Sequence, residues 1–534
     1  MTMQKSGHVD AFTREQLPAA ADWPDFRFDL PELAYPERLN CAAELLDRNI
    51  EIGLGDKIAI YSAARTISWA ELRGEASRIA HILVEDMGLV PGNRVLLHGY
   101  NSIELIACWY GVILAGGVAV MTMPMLRAGE IAKVIAKGKV SHALCDAALA
   151  APVHEAAALE PVLDRIACWG PDGALADTMV TKPGSFNAVD TARDDIALLA
   201  FTSGTTGEPK ACAHFHSSVL AMADTFGRSV LKPDPDEIYL GTPPFAFTFG
   251  LGACVVFPAR AGLATALPDR PGFEALCETI ERFGVTTLFT APTGYRALMG
   301  LWDSFDLTSL RKGISAGEHL PEATSDAFCE LSGIRLIDGI GATEMIHIFI
   351  SAAGADIRPG ATGKMVPGYQ AKVIDDRGEP VADGEIGRLA VKGPTGCLYL
   401  DDKRQKSYVQ NGWNITGDLY RRDGDGYFWY VSRADDLIVS SGYNIAGPEV
   451  EQALLLHEAV LECAVVGAAD IERGTIVKAF IVLAPGHQDG SELVKRLQDH
   501  VKAAIAPYKY PRAIEFLAAL PKTQTGKIQR FKLR

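Results

Sequence analysis

The stretch "IALLAFTSGTTGEPK", residues 196–210, joins an apolar run to a loop of glycine, serine and threonine that ends in Pro209-Lys210. Glycines let backbone N–H groups converge, hydroxyls add donors and a lysine adds charge, so the loop suits an anion. A cluster of that kind alone more often marks a flexible surface turn, and the rest of the chain has to decide. The loop is not the nucleotide P-loop GxxxxGK[ST]. Gly204 and Gly207 stand three apart, Lys210 follows Pro209, and Ala211 occupies the place of the metal-binding hydroxyl. Pro209 also removes one N–H from any cradle.

Outward from this loop, short apolar runs alternate with longer segments of helical spacing. "KIAIYS", "RVLLHG", "GVAVMTM", "HALCDA", "TTLFTAP" and "IRLIDGIG" read as strands. "SWAELRGEASRIAHILVEDMG" and "FEALCETIERFG" read as helices between them. That alternation predicts βαβ units and helix-covered parallel sheets, with ligands at the carboxyl ends of strands. After about residue 370 the pattern changes to "AKVIDD", "GRLAVKG" and "GYFWYVSR", strands set apart by turns at Asp376-Arg377-Gly378 and Asp423-Gly424-Asp425-Gly426. These predict a smaller, mainly antiparallel unit. A last strand and helix mix with a basic end follows "SRADD". The fold class is therefore α/β, with a large N-terminal domain over 1–434 and a small α+β C-terminal domain over 435–534.

The net charge of −15 argues against nucleic acid and anionic membranes as partners, and leaves room for a local basic site for a phosphorylated ligand. The 10 cysteines show neither a CxxC pair nor zinc-ligand spacing, which predicts reduced thiols in a cytoplasmic protein. The N-terminus has no apolar core of a signal peptide. The uncharged run Leu105–Leu126 is long enough for a membrane span, but Gly116-Gly117 splits it and Pro124 closes it. It is read as a buried helix, a turn and a short buried strand.

The loop "TSGTTGEPK" resembles the phosphate-binding loop of the adenylate-forming superfamily, which includes acyl- and aryl-CoA synthetases. Further motifs recur in the superfamily's order: "GIGATEM" (339–345), "TGD" (416–418), "SRADD" (432–436) and "PKTQTGKIQR" (521–530). The resemblance covers nearly the whole chain. It implies that Thr202, Ser203, Gly204, Thr205, Thr206 and Gly207 hold phosphates, with Lys210 tethering the loop or reaching the anion. Thr343 and Glu344 form the Thr-Glu motif. A carboxylate beside a triphosphate needs a bridging cation, and the family's glutamate binds Mg²⁺. Asp418 and Arg433 belong at the ribose and Asp338 at the adenine amino group. Ile340 stands where many relatives carry an aromatic ring, which puts adenine stacking at that position in question. Lys527 supplies a cation to the carboxylate and α-phosphate. Asp435 is the hinge of a mobile C-terminal domain, and Gly442 lines the pantetheine tunnel.

The implied chemistry has two steps. A carboxylate attacks the ATP α-phosphate to give an acyl-adenylate, and a thiol then displaces AMP. "TPPFAFTFGLG" (242–252) places Phe247, Thr248 and Phe249 where relatives line the acid pocket. Ala316, Gly317, Ile340, Gly341 and His347 complete that list. "GATEMIHIFIS" resembles benzoate–CoA ligases and 2-aminobenzoate-activating relatives, and "DLPELAYPERLNCAAELLDR" strengthens the latter likeness. The expected partners are a small aromatic acid, ATP, Mg²⁺ and coenzyme A. Free CoA is favoured because no carrier domain follows Arg534. Other small or medium-chain acids, loading of a separate carrier protein, a luciferase-like oxygenase acting on an adenylate, a nucleotide-binding module without turnover, and a homodimer stay open.

Overall fold

The computed structural model describes residues 3–202, 208–434, 436–440, 443–470, 474–522 and 528–534. The decisive strand, Ile196–Thr202, lies inside a six-stranded sheet. Its order is Arg165–Trp169, His142–Asp146, Arg94–His98, Val118–Thr122, Ile196–Thr202, Lys210–Phe215. All pairs are parallel except the last, where the chain returns beyond the loop antiparallel to the strand it left. Arg94–His98 and Val118–Thr122 are buried at every position, which is why their centres, Val95 to Leu97 and Val118 to Met121, read as apolar runs.

The run Leu105–Leu126 resolves as expected. Ser102 caps a helix over Ile103–Leu114, accepting from the Leu105 N–H at 3.1 Å. Gly116 turns at φ +72° and the strand Val118–Thr122 follows. Among the described residues no helix is long and apolar enough to cross a membrane.

A nine-stranded sheet forms the second layer. Its parallel centre runs Ile337–Gly341, Lys312–Ala316, Thr287–Thr290, Ile238–Gly241, Ala264–Leu267, Ile58–Ser62. Antiparallel strands Ile348–Ser351 and Lys364–Met365 extend one edge, and Thr66–Ser68 the other. The strands foreseen after residue 370 form a five-stranded antiparallel sheet from Gln370–Ile374, Ile386–Lys392, Val409–Gln410, Trp413–Arg422 and Phe428–Arg433. Its turns are fastened by aspartates. Asp375 Oδ1 accepts from the Arg377 and Glu379 N–H groups, and Asp423 Oδ1 from those of Asp425 and Tyr427.

The C-terminal portion pairs Val460–Asp470 with Gly474–Leu483, adds Ala513–Phe516 in parallel, and covers them with helices Gly447–Leu455 and Ser491–Ala504. One apolar cluster there gathers residues from Ile438 to Phe516, and a second joins Ala464, Val466, Phe480 and Leu520. The main core of the rest runs from Phe28 to Tyr430.

Sequence periodicity did not foresee three stretches where helices widen to π geometry, Ile82–Asp86, Ala223–Leu231 and Gly252–Val256. Such widening is rare and gathers at functional sites. The last two converge on one side chain described below.

Candidate active site

Ser203, Gly204, Thr205, Thr206 and Gly207 lie outside the described residues, as do Asp435, Gly442 and Lys527. Thr202 ends its strand half-buried at the mouth of the loop. Lys210 opens the next strand, where its Nζ donates to the Tyr399 hydroxyl at 3.2 Å and sits 5.0 Å from that ring's centroid. The Tyr399 hydroxyl donates in turn to Glu344 Oε1. Burial and the Glu344 charge push the phenol far above its ordinary value, so it stays a donor. Strand Lys210–Phe215 brings Tyr399 there. The Ala213 N–H donates to the Leu398 carbonyl at 2.8 Å, and the Leu400 N–H to the Ala211 carbonyl at 2.9 Å. No motif marked Tyr399, because its place depends on a pairing across a long sequence separation.

Thr343 and Glu344 occupy a single tight turn, Thr343–Met345, between strands Ile337–Gly341 and Ile348–Ser351. Ile346 closes it at φ +61°, where a β-branched residue costs about 1–3 kcal/mol. The Thr395 hydroxyl steadies the turn by donating to the Met345 carbonyl at 2.9 Å.

Asp418 and Arg433 face each other in register on neighbouring strands, and the guanidinium donates to Asp418 Oδ1 at 3.1 Å. Gly417 precedes them at φ +79°, and a Cβ there would stand 3.3 Å from the Arg433 guanidinium. Both residues line a cavity of about 410 Å³ together with Asp338, Gly317, Ile340 and Gly341. Helix Gly447–Leu455 and the last residues of the chain supply Glu451 and Arg530 to its far wall. The Asp338 Oδ1 is shut from solvent without a hydrogen-bond partner among the described residues, and burial holds its carboxyl well above the usual range.

The ring missing at Ile340 has a counterpart in this cavity. His319 stacks on Tyr430 with ring centroids 5.0 Å apart, and both line the wall. Burial pushes the His319 imidazole down to about 4, so it is a neutral ring. The stretch "SAGEHLP" carried His319, but no spacing showed that Tyr430 would lie against it.

The remaining acid-pocket residues gather beside the cavity rather than on its wall. Ala316 is buried at the end of Lys312–Ala316, and Phe247 leads into the helical turn Thr248–Leu251 that holds Thr248 and Phe249. Asn101 fixes this segment, accepting from the Phe245 N–H at 2.9 Å and donating to the Pro243 carbonyl at 3.1 Å. Phe245 itself points into the core, 1% exposed. Phe249 sits 5.6 Å from His347. Phe226 stacks on that imidazole at 5.5 Å and Phe257 meets it edge-on at 4.6 Å. His347 is 3% exposed, and neither ring nitrogen makes a hydrogen bond of ordinary length and angle among the described residues. Burial outweighs the opposing pull of the Phe249 backbone and pushes it down to about 3, so it is neutral and offers one donor and one acceptor. An unsatisfied buried polar group costs about 1–3 kcal/mol, which marks a place where a ligand can repay a cost.

The sequence profile described as AMP-binding enzyme matches residues 50–398, and that of the AMP-binding enzyme C-terminal domain matches 449–527. The chain therefore belongs to the AMP-binding, adenylate-forming enzymes, whose CoA ligases use ATP and CoA. It is 34% identical to the benzoate–CoA ligase of Thauera aromatica, over 94% of this chain and 97% of that one. It is 35% identical to the 4-hydroxybenzoate–CoA/benzoate–CoA ligase of Rhodopseudomonas palustris, over 93% and 94%. Among solved structures it resembles an anthranilate CoA ligase in complex with anthranoyl-AMP, with a TM-score of 0.90, 34% identity and coverage of 95% and 98%. A benzoate CoA ligase from Burkholderia xenovorans follows at 0.85 and 31%, over 93% and 100%.

Proposed function

We propose that the chain is an AMP-forming aryl–CoA ligase acting on 2-aminobenzoate or benzoate. The carrying observation is His347: a neutral imidazole inside an aromatic cage, neither nitrogen making a hydrogen bond of ordinary length and angle among the described residues, in the same connection as the Thr-Glu turn. A flat ring suits the aromatic surroundings, and an ortho amino group or a carboxylate suits the imidazole. The named relatives act on benzoates or anthranilate by their titles, which supports the same class.

In this reading the acid lies between Phe249 and the wall at Ala316, Gly317, Ile340 and Gly341, with Phe247 and Thr248 at its edge. The cavity holds the nucleotide: Asp418 and Arg433 at the ribose, Asp338 at the adenine amine, His319 and Tyr430 as the ring surface. Residues 202–207 take the phosphates. Mg²⁺ fits one carboxylate beside phosphate oxygens, and Glu344 is that carboxylate. Among the described residues no cluster of three His, Cys, Asp or Glu forms a dedicated metal cage. The ion would then be held by Glu344 and the nucleotide, where it neutralises phosphate charge. Thr343 shares that turn. Lys210 and Tyr399 orient the Glu344 carboxylate.

The acid's carboxylate oxygen attacks the α-phosphorus and pyrophosphate leaves. Lys527 is assigned the charge stabilisation of this step. The CoA sulfur then attacks the acyl carbon and AMP leaves. Asp435 is assigned the hinge between the domains 1–434 and 435–534, and Gly442 the thiol's passage. A cytoplasmic setting belongs to the same reading, in keeping with ten free thiols.

The test is ATP–pyrophosphate exchange, then AMP release with CoA, across benzoate, 2-aminobenzoate, hydroxybenzoates and a medium-chain fatty acid. Exchange with the aromatic acids and CoA-dependent AMP release are expected. A fatty-acid preference overturns the aryl reading, and no exchange with any acid overturns catalysis.

A further inference from the structure

Glycine is poor in a helix interior relative to alanine, so a helical glycine with ordinary torsions asks for a reason. Gly252 lies within the continuous helical stretch from Thr248–Leu251 through Gly252–Val256 to Phe257–Ala261. Its torsions are φ −60° and ψ −55°, which alanine adopts freely. Backbone freedom is therefore not what position 252 requires. Space is. A Cβ there would stand 2.5 Å from His347 Cδ2, 2.7 Å from His347 Nε2 and 3.2 Å from Phe257 Cζ. The first two separations are shorter than any carbon–carbon or carbon–nitrogen contact tolerates.

The imidazole has little room to give way. Phe226 covers its face at 5.5 Å, with Phe257 at 4.6 Å and Phe249 at 5.6 Å on other sides. The two helical segments behind those rings are locked together. Arg260 donates to both oxygens of Asp224, at 2.9 and 3.0 Å, and the Tyr35 hydroxyl donates to the same carboxylate at 2.8 Å. Asp224 and Phe226 share one widened turn, and Arg260 and Phe257 share the helical segment that follows the other. The cage is thus a fixed frame, and at Gly252 the helix approaches the imidazole without a side chain.

We propose that Gly252 is a specificity-determining residue of the acid site, because its missing side chain fixes where the His347 imidazole stands. The proposal rests on the aryl-acid reading for its functional consequence, and on packing alone for its structural one. A methyl group at position 252 drives the ring off its place and removes the hydrogen-bonding atom from the acid's reach.

The experiment has two arms. The first compares side-chain ¹⁵N spectra of the histidines in the wild type and Gly252→Ala, with His347 assigned by its loss in His347→Gln. Displaced His347 signals are expected, and unmoved signals overturn the proposal whatever the acid is. The second is a double-mutant cycle on kcat/KM. Gly252→Ala should raise KM for the preferred aromatic acid about tenfold or more with the KM for ATP unchanged. In the His347→Ala background the same change should have less than about a twofold effect. An equal loss in both backgrounds overturns the proposal. A wild type that activates no aromatic acid sinks the aryl reading while the first arm still decides the packing claim. If Gly252→Ala alone does not fold, the double variant, which has room for the methyl, is expected to fold, and its failure to do so also counts against the proposal.

Discussion

The hairpin of Ile337–Gly341 and Ile348–Ser351 serves two neighbouring sites of opposite construction. On one side, charged and hydroxyl-bearing groups are paired before any ligand arrives: Lys210 to Tyr399 to Glu344, and Arg433 to Asp418. On the other, Phe226, Phe249 and Phe257 enclose a neutral His347 whose nitrogens make no hydrogen bond of ordinary length and angle among the described residues. In the proposed reading the first arrangement preorganises charge for adenylation, and the second keeps a deficit for the acid to fill. On that reading the two roles fall to Glu344 and His347, which share the connection 342–347 between those strands.

Removing charge from the paired side should cost most. Glu344→Gln keeps the shape and the Tyr399 contact but loses the charge that holds the cation. Pyrophosphate exchange is expected to fall by about 10²–10³, with the melting temperature little changed. A loss below tenfold would place the cation elsewhere. Tyr399→Phe deletes one hydroxyl that accepts from Lys210 and donates to Glu344. A hydrogen bond to a charged partner is worth about 1.5–3 kcal/mol, so kcat should fall roughly 10–100-fold. The KM for the aromatic acid should not move, since Tyr399 belongs to the other side of the comparison.

Much of the paired side was legible in the sequence, for a physical reason. The residues assigned to phosphate and ribose belong to strand ends and tight turns, so they lie close together in short strings such as "GIGATEM" and "TGD". The parallel strands were legible too, since burial on both faces makes them continuous apolar runs. Tyr399, Tyr430 and the partnership of His319 with Tyr430 were not, because each depends on which strands become neighbours. The cage is the extreme case. Phe226 and Phe257 carry no motif, Gly252 is only the end of "TPPFAFTFGLG", and the π-widened turns that aim these groups cannot be told from ordinary helix by apolar spacing. His347 was noticed only for its place after the Thr-Glu pair. Its surroundings are a product of tertiary packing.

The caged side should answer to the acid alone. His347→Ala should lower the ratio of kcat/KM for 2-aminobenzoate over benzoate by about tenfold, one hydrogen bond's worth, if the imidazole accepts from the ortho amine. The KM for ATP is expected to stay within about twofold of wild type. A ratio that does not change assigns the imidazole to the carboxylate common to both acids.

A last contrast concerns pH. Burial pushes His347 and His216 down to about 3 and His98 down to about 4, against 6.5 for the free side chain. Each folded imidazole stays neutral where the unfolded one takes up a proton. Above 6.5 neither state binds it, and these residues do not make stability depend on pH. Between 6.5 and the folded values the unfolded chain binds more protons, so acid favours unfolding. The slope is about 1.4 kcal/mol per pH unit for each histidine, and it ends only when the folded imidazole also protonates. Urea midpoints at pH 7 and pH 5 measure the loss. In His347→Leu the fall between those two values should shrink by about 2 kcal/mol, one histidine's share over the interval below 6.5. An undiminished fall in His347→Leu would mean that the imidazole is charged or solvated in the folded protein, and the contrast between the two sides of the hairpin would then disappear.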